Sequence, residues 1–447
     1  MIAANIITDN LTAARAQMGV SLGWHIVVAS LGVGFPLVIL FAEWRAHRRG
    51  DADAMRLART WSRTAGVLFA VGAVSGTIIS FEMGILWPGL LGTYGSVIGL
   101  PFALEGFAFF VEAIFIGIYL YGWDRLSPRA HLLTGIPVAV AGIASAFFVV
   151  TANAWMNNPQ GFQLVNGKVT NPDPWAAMFN PATPAESIHL LLASFMVTGF
   201  VIAAVYAVAL LRGRRDRYHR LGFVIPFAFA AIVTPLQIGA GDMAARYVAD
   251  HQPVKLAALE GQVHTEKGAG EHIGGIVVDG QLRGAIVIPH ALALLAYGDP
   301  NATVKGLDSV PADQQPPANT VHVAFDLMVG AGGALLGLAG WFAWSWRRRR
   351  ALPASRWFLR GAVLAGPAAA AAMEAGWVTT EVGRQPWAVY GILRTDQAVS
   401  TAPGLFAGFY VLLAVYAVLT VSTVYVLLRM SRGRGLRTAE VAAAVAS

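Results

Sequence analysis

Glu105 and Glu112 interrupt an otherwise apolar, aromatic-rich run from Leu100 to Leu120. At ~1.5 Å of rise per residue a helix over that run is long enough to cross a bilayer, which puts both carboxyls well inside it. Seven residues make about two turns, so the pair shares one stripe with roughly 10 Å between its members. A carboxyl at such depth is costly unless it faces a bundle interior, a partner or a file of water. Two on one stripe suit a proton path, or ligation of something held in the bundle. The competing reading is a pair of protonated, hydrogen-bonded packing glutamates.

The other polar residues in apolar runs are few: His25, Glu82, His189, Asp326, Met328 and Glu374. There is no cysteine, which excludes disulfides, thiolate metal sites and cysteine nucleophiles and leaves imidazole, thioether and carboxylate as ligands. His25, Glu82, Glu105, His189, Met328 and Glu374 all fall toward one side of the predicted topology but on different helices, which is how a bundle builds a cofactor site. Imidazole and thioether are axial ligands of porphyrin iron, and a His/Met pair is typical of a six-coordinate, electron-transferring haem. Taken singly these signals are weak, because a lone membrane histidine usually packs and hydrogen-bonds and a lone methionine usually fills core. From residues alone, a haem protein and a proton-coupled transporter both fit. Glu82 reads equally as a packing residue or a further acid near such a site, and is left out of the catalytic set.

The elements that must position these groups are membrane spans. Of 447 residues, 56% are hydrophobic and only 13% charged, with mean hydropathy +0.57. Apolar runs at 20–43, 63–87, 98–122, 132–155, 187–211, 221–241, 321–346, 357–380 and 403–428 predict nine spans. The net charge of +7 does not call for nucleic acid, since most of the 32 lysines and arginines gather in alternate short segments, 44–63, 123–131, 212–220, 347–356 and 429–437. The positive-inside bias puts those segments in the cytoplasm, the N-terminus outside and the C-terminus inside. Residues 1–19 read as a mildly amphipathic lead-in without the marks of a signal peptide. On the outer side, 88–97 is short, 156–186 is Asn- and Pro-rich, 242–320 is long and polar with a helix-like 253–260, and 381–402 holds a compact polar motif. No internal repeat announces an inverted-repeat transporter.

Gly99-Leu-Pro-Phe-Ala-Leu-Glu-Gly106, Phe109-Phe-Val-Glu112, Gly122-Trp-Asp-Arg125, the segment from Ala152 to Gly161, Lys255-Leu-Ala-Ala-Leu-Glu260 and Gly383-Arg-Gln-Pro-Trp387 run in order along the chain. This series resembles subunit I of the cytochrome bd quinol oxidases, of the kind with a short quinol loop. The resemblance implies an all-α integral membrane protein, nine transmembrane helices in a haem-binding bundle, in the bacterial plasma membrane. It divides the chain into a six-helix bundle over 1–241, an outer quinol-binding loop over 242–320, and three further spans with a cytoplasmic tail over 321–447. The implied activity is that of a terminal respiratory oxidase, which oxidises membrane quinol and reduces O2 to water with protons taken from the cytoplasm. The cofactors implied are a low-spin haem b, a high-spin haem b, and a haem d or a further haem b. The partners implied are a second oxidase subunit and small single-span subunits.

Residue by residue, the resemblance implies that His189 and Met328 ligate the low-spin haem b, that His25 ligates one haem of the oxygen-reducing pair, and that Glu374 ligates the other. It assigns Glu105 and Glu112 to proton transfer, and Lys255 and Glu260 to the quinol-binding loop. Arg384 and Trp387 carry two readings, a contact near haem propionates or a pin holding an outer loop to the bundle. Lys255 and Glu260 also read as a simple intraloop salt bridge. Two positions depart from the family pattern: Ala370 stands where several members carry a tryptophan between haems, and Asp326 where some have an arginine. A haem-binding homologue without turnover is the reading that Ala370 favours, and the proton-coupled transporter remains the rival from another class.

Overall fold

The computed structural model describes residues 2–353 and 355–446, with side chains described from Asp9 to Ser431 apart from Ala354. Part of the expected lead-in, residues 1–8, and the basic tail beyond Ser431 lie outside the described side chains. The chain forms α1 (Ile2–Arg49), α2 (Ala52–Leu86), α3 (Pro88–Gly122), α4 (Pro128–Asn157), the short α5 (Pro174–Met178), α6 (Thr183–Leu211), α7 (Arg217–His251), the short α8 (Pro253–Leu259) and α9 (Ala291–Tyr297), α10 (Ala318–Arg349), α11 (Arg356–Gly383), the one-turn α12 (Thr395–Ala398) and α13 (Leu405–Ala446). Strands occur as two-stranded antiparallel pairs in the connecting segments.

Eight of the described helices are long and apolar enough to cross a membrane. The nine predicted spans meet a difference at 357–380. That stretch is helical within α11, whose 28 residues would reach about 42 Å, but its apolarity is diluted by glycines, Pro367 and Glu374. It is sheltered instead, packing against α6 on one side and α10 on the other.

Helices overrun the apolar runs at both ends. The basic stretch 44–63, predicted as a loop, is helix except at Gly50 and Asp51. Gly50 takes φ +58°, the left-handed turn that glycine allows, and the Asp51 side chain caps α2 by accepting from Ala54 N at 3.2 Å. The outer segment 88–97 is also not a loop: Pro88 opens α3 directly after Trp87. Likewise α7 continues to His251, ten residues past its predicted end, and α8 bears out the helix-like reading of 253–260.

Two apolar cores hold the bundle. One gathers α1, α2, α6, α7, α10 and α11 around Phe200, Phe223, Phe227, Phe342 and Phe358 near the arginine-rich turns. The other packs the opposite ends of α1, α2, α3 and α4 around Trp87, Tyr94 and Trp155. Residues of both cores also face one large cavity.

Candidate functional site

That cavity has a volume of about 1530 Å³ and is walled by α1, α2, α3, α4, α6, α7, α10 and α11. It exceeds the roughly 300–1,000 Å³ of an ordinary small-molecule pocket, so it has room for more than one flat ligand. His25, Glu105, Glu112, His189, Met328, Lys255, Glu260, Arg384 and Trp387 all face it. The chain thus brings nine of the ten residues singled out from sequence to one space.

Each ligand candidate is set by its neighbours. The His25 Nδ1 lies 2.7 Å from the Ser75 hydroxyl of α2, and Gly76 leaves the ring room: a Cβ there would lie 3.2 Å from His25 Cε1. With Nδ1 engaged, Nε2 is the nitrogen left to act on the cavity. His189 is contacted by the Gln237 amide, 3.2 Å from Nε2 and 3.3 Å from Nδ1. Met328 on α10 rests against Gly376 of α11, where a Cβ would stand 2.7 Å from the sulfur. Gln237 is a residue that sequence reading missed, since one amide in a span carries no pattern.

Glu374 is the exception. It does not line the cavity, although its neighbours Met373 and Gly376 do. Its carboxyl lies against α1 at Gly23, where a Cβ would be 3.3 Å from Oε2, and its Oε1 is buried with no hydrogen-bond partner. Glu82 stays outside the cavity wall too, beside Ser21 and Tyr416. Among the described residues no three of His, Asp and Glu converge to hold a bare metal ion. His25, His189 and Met328 therefore offer their donors singly around a wide space, which suits axial positions on macrocycles. The unsatisfied Glu374 Oε1 and a second orphan, Arg384 Nε, are compatible with groups that need a carboxylate ligand or carry carboxylates of their own.

The mouth of the cavity, at the end away from the arginine-rich turns, carries two separate charged clusters. In the first, Lys255 Nζ and Arg384 Nη1 each lie 3.4 Å from Asn157 Oδ1, and Asn157 in turn donates to Glu186 at 2.8 Å. Arg384 also pairs with Glu381, to which Asn153 donates. Arg384 is 2% exposed; it ties α11 to α4, as the pin reading has it, and also lines the cavity. Trp387 faces the same space with the Arg394 guanidinium stacked on its ring at 5.7 Å. Burial lowers the Lys255 ammonium from its ordinary value to about 8.

In the second cluster Glu260 meets Glu271 and lies near Asp326. Burial, and then the adjacent Glu271, push the Glu260 carboxyl well above the usual range. Lys255 and Glu260 thus do not form the intraloop salt bridge that their spacing permits. Asp326 accepts from Gly274 N at 2.7 Å, so the acid that departs from the family pattern fastens the outer loop to α10. Asn157, Glu186, Glu381 and Glu271 were given no role in the sequence, because polar residues at helix ends, or in a polar loop as Glu271 is, ordinarily meet water.

Residues 13–434 match the family described as cytochrome bd terminal oxidase subunit I. A Bacillus subtilis (strain 168) protein named putative cytochrome bd menaquinol oxidase subunit I is 37% identical over 429 residues, covering 94% of this chain and 96% of that protein. The cytochrome bd ubiquinol oxidase subunit 1 of the same organism is 31% identical, over 90% of this chain and 88% of its own. Among solved structures, the bd oxidase from Geobacillus thermodenitrificans is similar with a TM-score of 0.88 and 39% identity, covering 95% of this chain and 98% of that one.

Proposed function

Taking as premise that this chain belongs to the cytochrome bd terminal oxidase subunit I family, we propose that it is the subunit that oxidises membrane quinol and reduces O2 to water. The observation that carries the reading is the single cavity of about 1530 Å³ that single His and Met donors share with Glu105, Glu112 and the buried charges of the outer mouth. In this reading His189 and Met328 hold a low-spin haem b, His25 a high-spin haem, and Glu374 the remaining one, a haem d or a further haem b. When bound, these groups supply one-electron relay and oxygen chemistry that amino-acid side chains do not.

The chain's own residues do the rest. Ser75 fixes the His25 ring so that Nε2 faces inward, and Gln237 fixes the His189 ring. Lys255 and Glu260 are the groups at the mouth that accept the hydroxyl protons of quinol as its electrons leave, Lys255 in its neutral form and Glu260 through the proton it shares with Glu271. Glu105 and Glu112 line the cavity from the far side and carry protons toward the oxygen-reducing centre, taken from the arginine-rich, cytoplasmic face. Water is kept out by the two apolar cores. Nine spans, with α11 as the sheltered ninth, the N-terminus outside, and a second oxidase subunit on the lipid-facing helices complete the reading.

The test is a reduced-minus-oxidised visible spectrum of the purified complex together with quinol-driven oxygen uptake. Low-spin and high-spin haem bands with uptake on quinol are expected. A fully folded preparation with neither bands nor uptake overturns the proposal.

A further inference from the structure

Glu43 is an acidic residue outside the cavity described above, and it is completely buried. It belongs to α1 near the arginine-rich turns. Its carboxyl accepts from the Tyr119 hydroxyl of α3, meets His131 Nδ1 of α4 at 2.7 Å, and lies 3.5 Å from Nε2 of His47. His131 is 2% exposed, while the side chain of His47 keeps 32% of its surface.

The His131 ring fixes where one proton must be mobile. Its Nε2 faces the Tyr119 carbonyl at 2.9 Å, which can only accept, so Nε2 carries a hydrogen. Nδ1 faces Glu43 Oε1, and the line between them needs one proton, held either by the imidazole or by the carboxyl. The ring packs against two aromatic side chains, 3.9 Å from the Trp123 centroid and 4.4 Å from that of Tyr119. The pair is therefore a proton store, open to the surface through His47.

Tyr119 aims this store at the cavity. Glu105, Glu112 and Tyr119 recur at intervals of seven on α3 and so share one stripe. The antiparallel α4 carries glycines at the matching interval: a Cβ at Gly135 would lie 2.9 Å from Tyr119 Cε2, and one at Gly142 would lie 3.5 Å from Glu112 Oε1. Tyr119 and Glu112 thus occupy successive notches of one helix interface. A cavity of about 20 Å³ lies against Tyr119 and Ile116 on this stripe, its wall apolar apart from Tyr119 and Ser62.

We propose that Glu43, with His131 and Tyr119, is a proton-collecting site that feeds Glu112 and Glu105 from the arginine-rich end of the bundle. Glu43 takes a proton through His47, the Tyr119 hydroxyl turns from Glu43 toward the stripe and gives its proton on toward Glu112, and the Tyr119 oxygen is reprotonated by Glu43. Each group ends as it began, and the electrons come from quinol by the activity proposed above, on which this inference rests.

The experiment compares the parent with E43Q, E43D and Y119F in the complete oxidase complex. Quinol-driven oxygen uptake in H2O and in D2O is measured beside anaerobic reduction of the chromophores by quinol. E43Q is expected to slow uptake by roughly 10²-fold, the lower end of what a positioned proton-transfer group contributes, with an enlarged D2O slowdown. Anaerobic reduction should keep its parental rate, and E43D should recover most of the uptake. Parental uptake and isotope effect in E43Q would overturn the proposal, as would a loss of chromophore reduction equal to the loss of uptake, which marks a structural staple. If E43Q does not assemble, Y119F decides by the same readouts. A parent complex that takes up no oxygen on quinol would instead refute the activity, which the parental control reports separately.

Discussion

Lys255 and Glu260, five residues apart on one short segment, turn to different partners: the ammonium reaches Asn157 Oδ1 at 3.4 Å, and the carboxyl meets Glu271. The mouth of the cavity therefore holds a cation-centred group and an acid-centred group, each with its own partners.

The Lys255 side of the mouth sets a pH dependence. Because burial lowers this ammonium to about 8, the neutral amine that can accept a quinol proton becomes available as pH rises through that value. The KM for quinol is expected to fall between pH 7 and pH 9. K255R stays charged throughout, so it should lose this trend and raise KM about tenfold at pH 9, the worth of one hydrogen bond at ~1.4 kcal/mol. A KM that K255R leaves unchanged at pH 9 would remove Lys255 from the site.

Glu260 predicts a stability slope of a stated sign. Its folded pKa lies above the unfolded carboxyl value, so it contributes stability that is complete at low pH and is lost as pH climbs through the raised value. E260Q abolishes that loss. Its Tm relative to the parent should be higher at pH 9 than at pH 5, read by thermal unfolding of the purified complex. An equal offset at both pH values contradicts the assignment.

Gly376 is expected to behave against the usual rule for glycine in helices. Replacing a helical glycine by alanine ordinarily gains up to about 1 kcal/mol, and G340A, which meets nothing within 4 Å, should follow that rule. In G376A the new methyl would stand 2.7 Å from the Met328 sulfur and push the thioether away. The low-spin visible band should shift or broaden in G376A and not in G340A; identical spectra would take Met328 out of the ligand set.

The turn between α1 and α2 predicts acid sensitivity. Arg217 donates to both Asp51 oxygens at 2.5 and 2.6 Å and Arg45 to one at 3.1 Å, and the bonds from Arg217 are the main reason the carboxyl is lowered to about 2. A lowered carboxyl contributes stability above its unfolded value of about 4, lost as pH falls toward 2. D51A should cost on the order of 1 kcal/mol at pH 7 from the lost helix cap alone. The difference from the parent should shrink by pH 3, again by thermal unfolding, and a constant difference would refute the linkage.

Much of the bundle was legible because lipid imposes long apolar runs, and those runs located the long helices. Their ends were not legible. Arg45, Arg48 and Arg56 look like loop residues, yet arginine is a good helix former, and only Gly50 and Asp51 break the helix between them. The inward-facing His25, Glu105, His189 and Met328 stood out as rare polar groups in apolar surroundings. Glu43 did not, because beside Trp44 and Arg45 it resembles any charge at a membrane edge, and nothing local reveals a partner 88 residues away. Asn157, Glu186 and Glu381 were hidden for the same reason. That Glu374 faces α1 rather than the main cavity depends on helix rotation, which apolar patterning fixes poorly in an alanine-rich helix.

The hollow between the two apolar cores bears on how the protein comes to maturity. Eight long helices share the wall of that space of about 1530 Å³, so their mutual packing is concentrated in the two cores on either side of it. A ligand seated there would touch helices of both cores at once, so its insertion would be a step of assembly and not only the supply of a reagent.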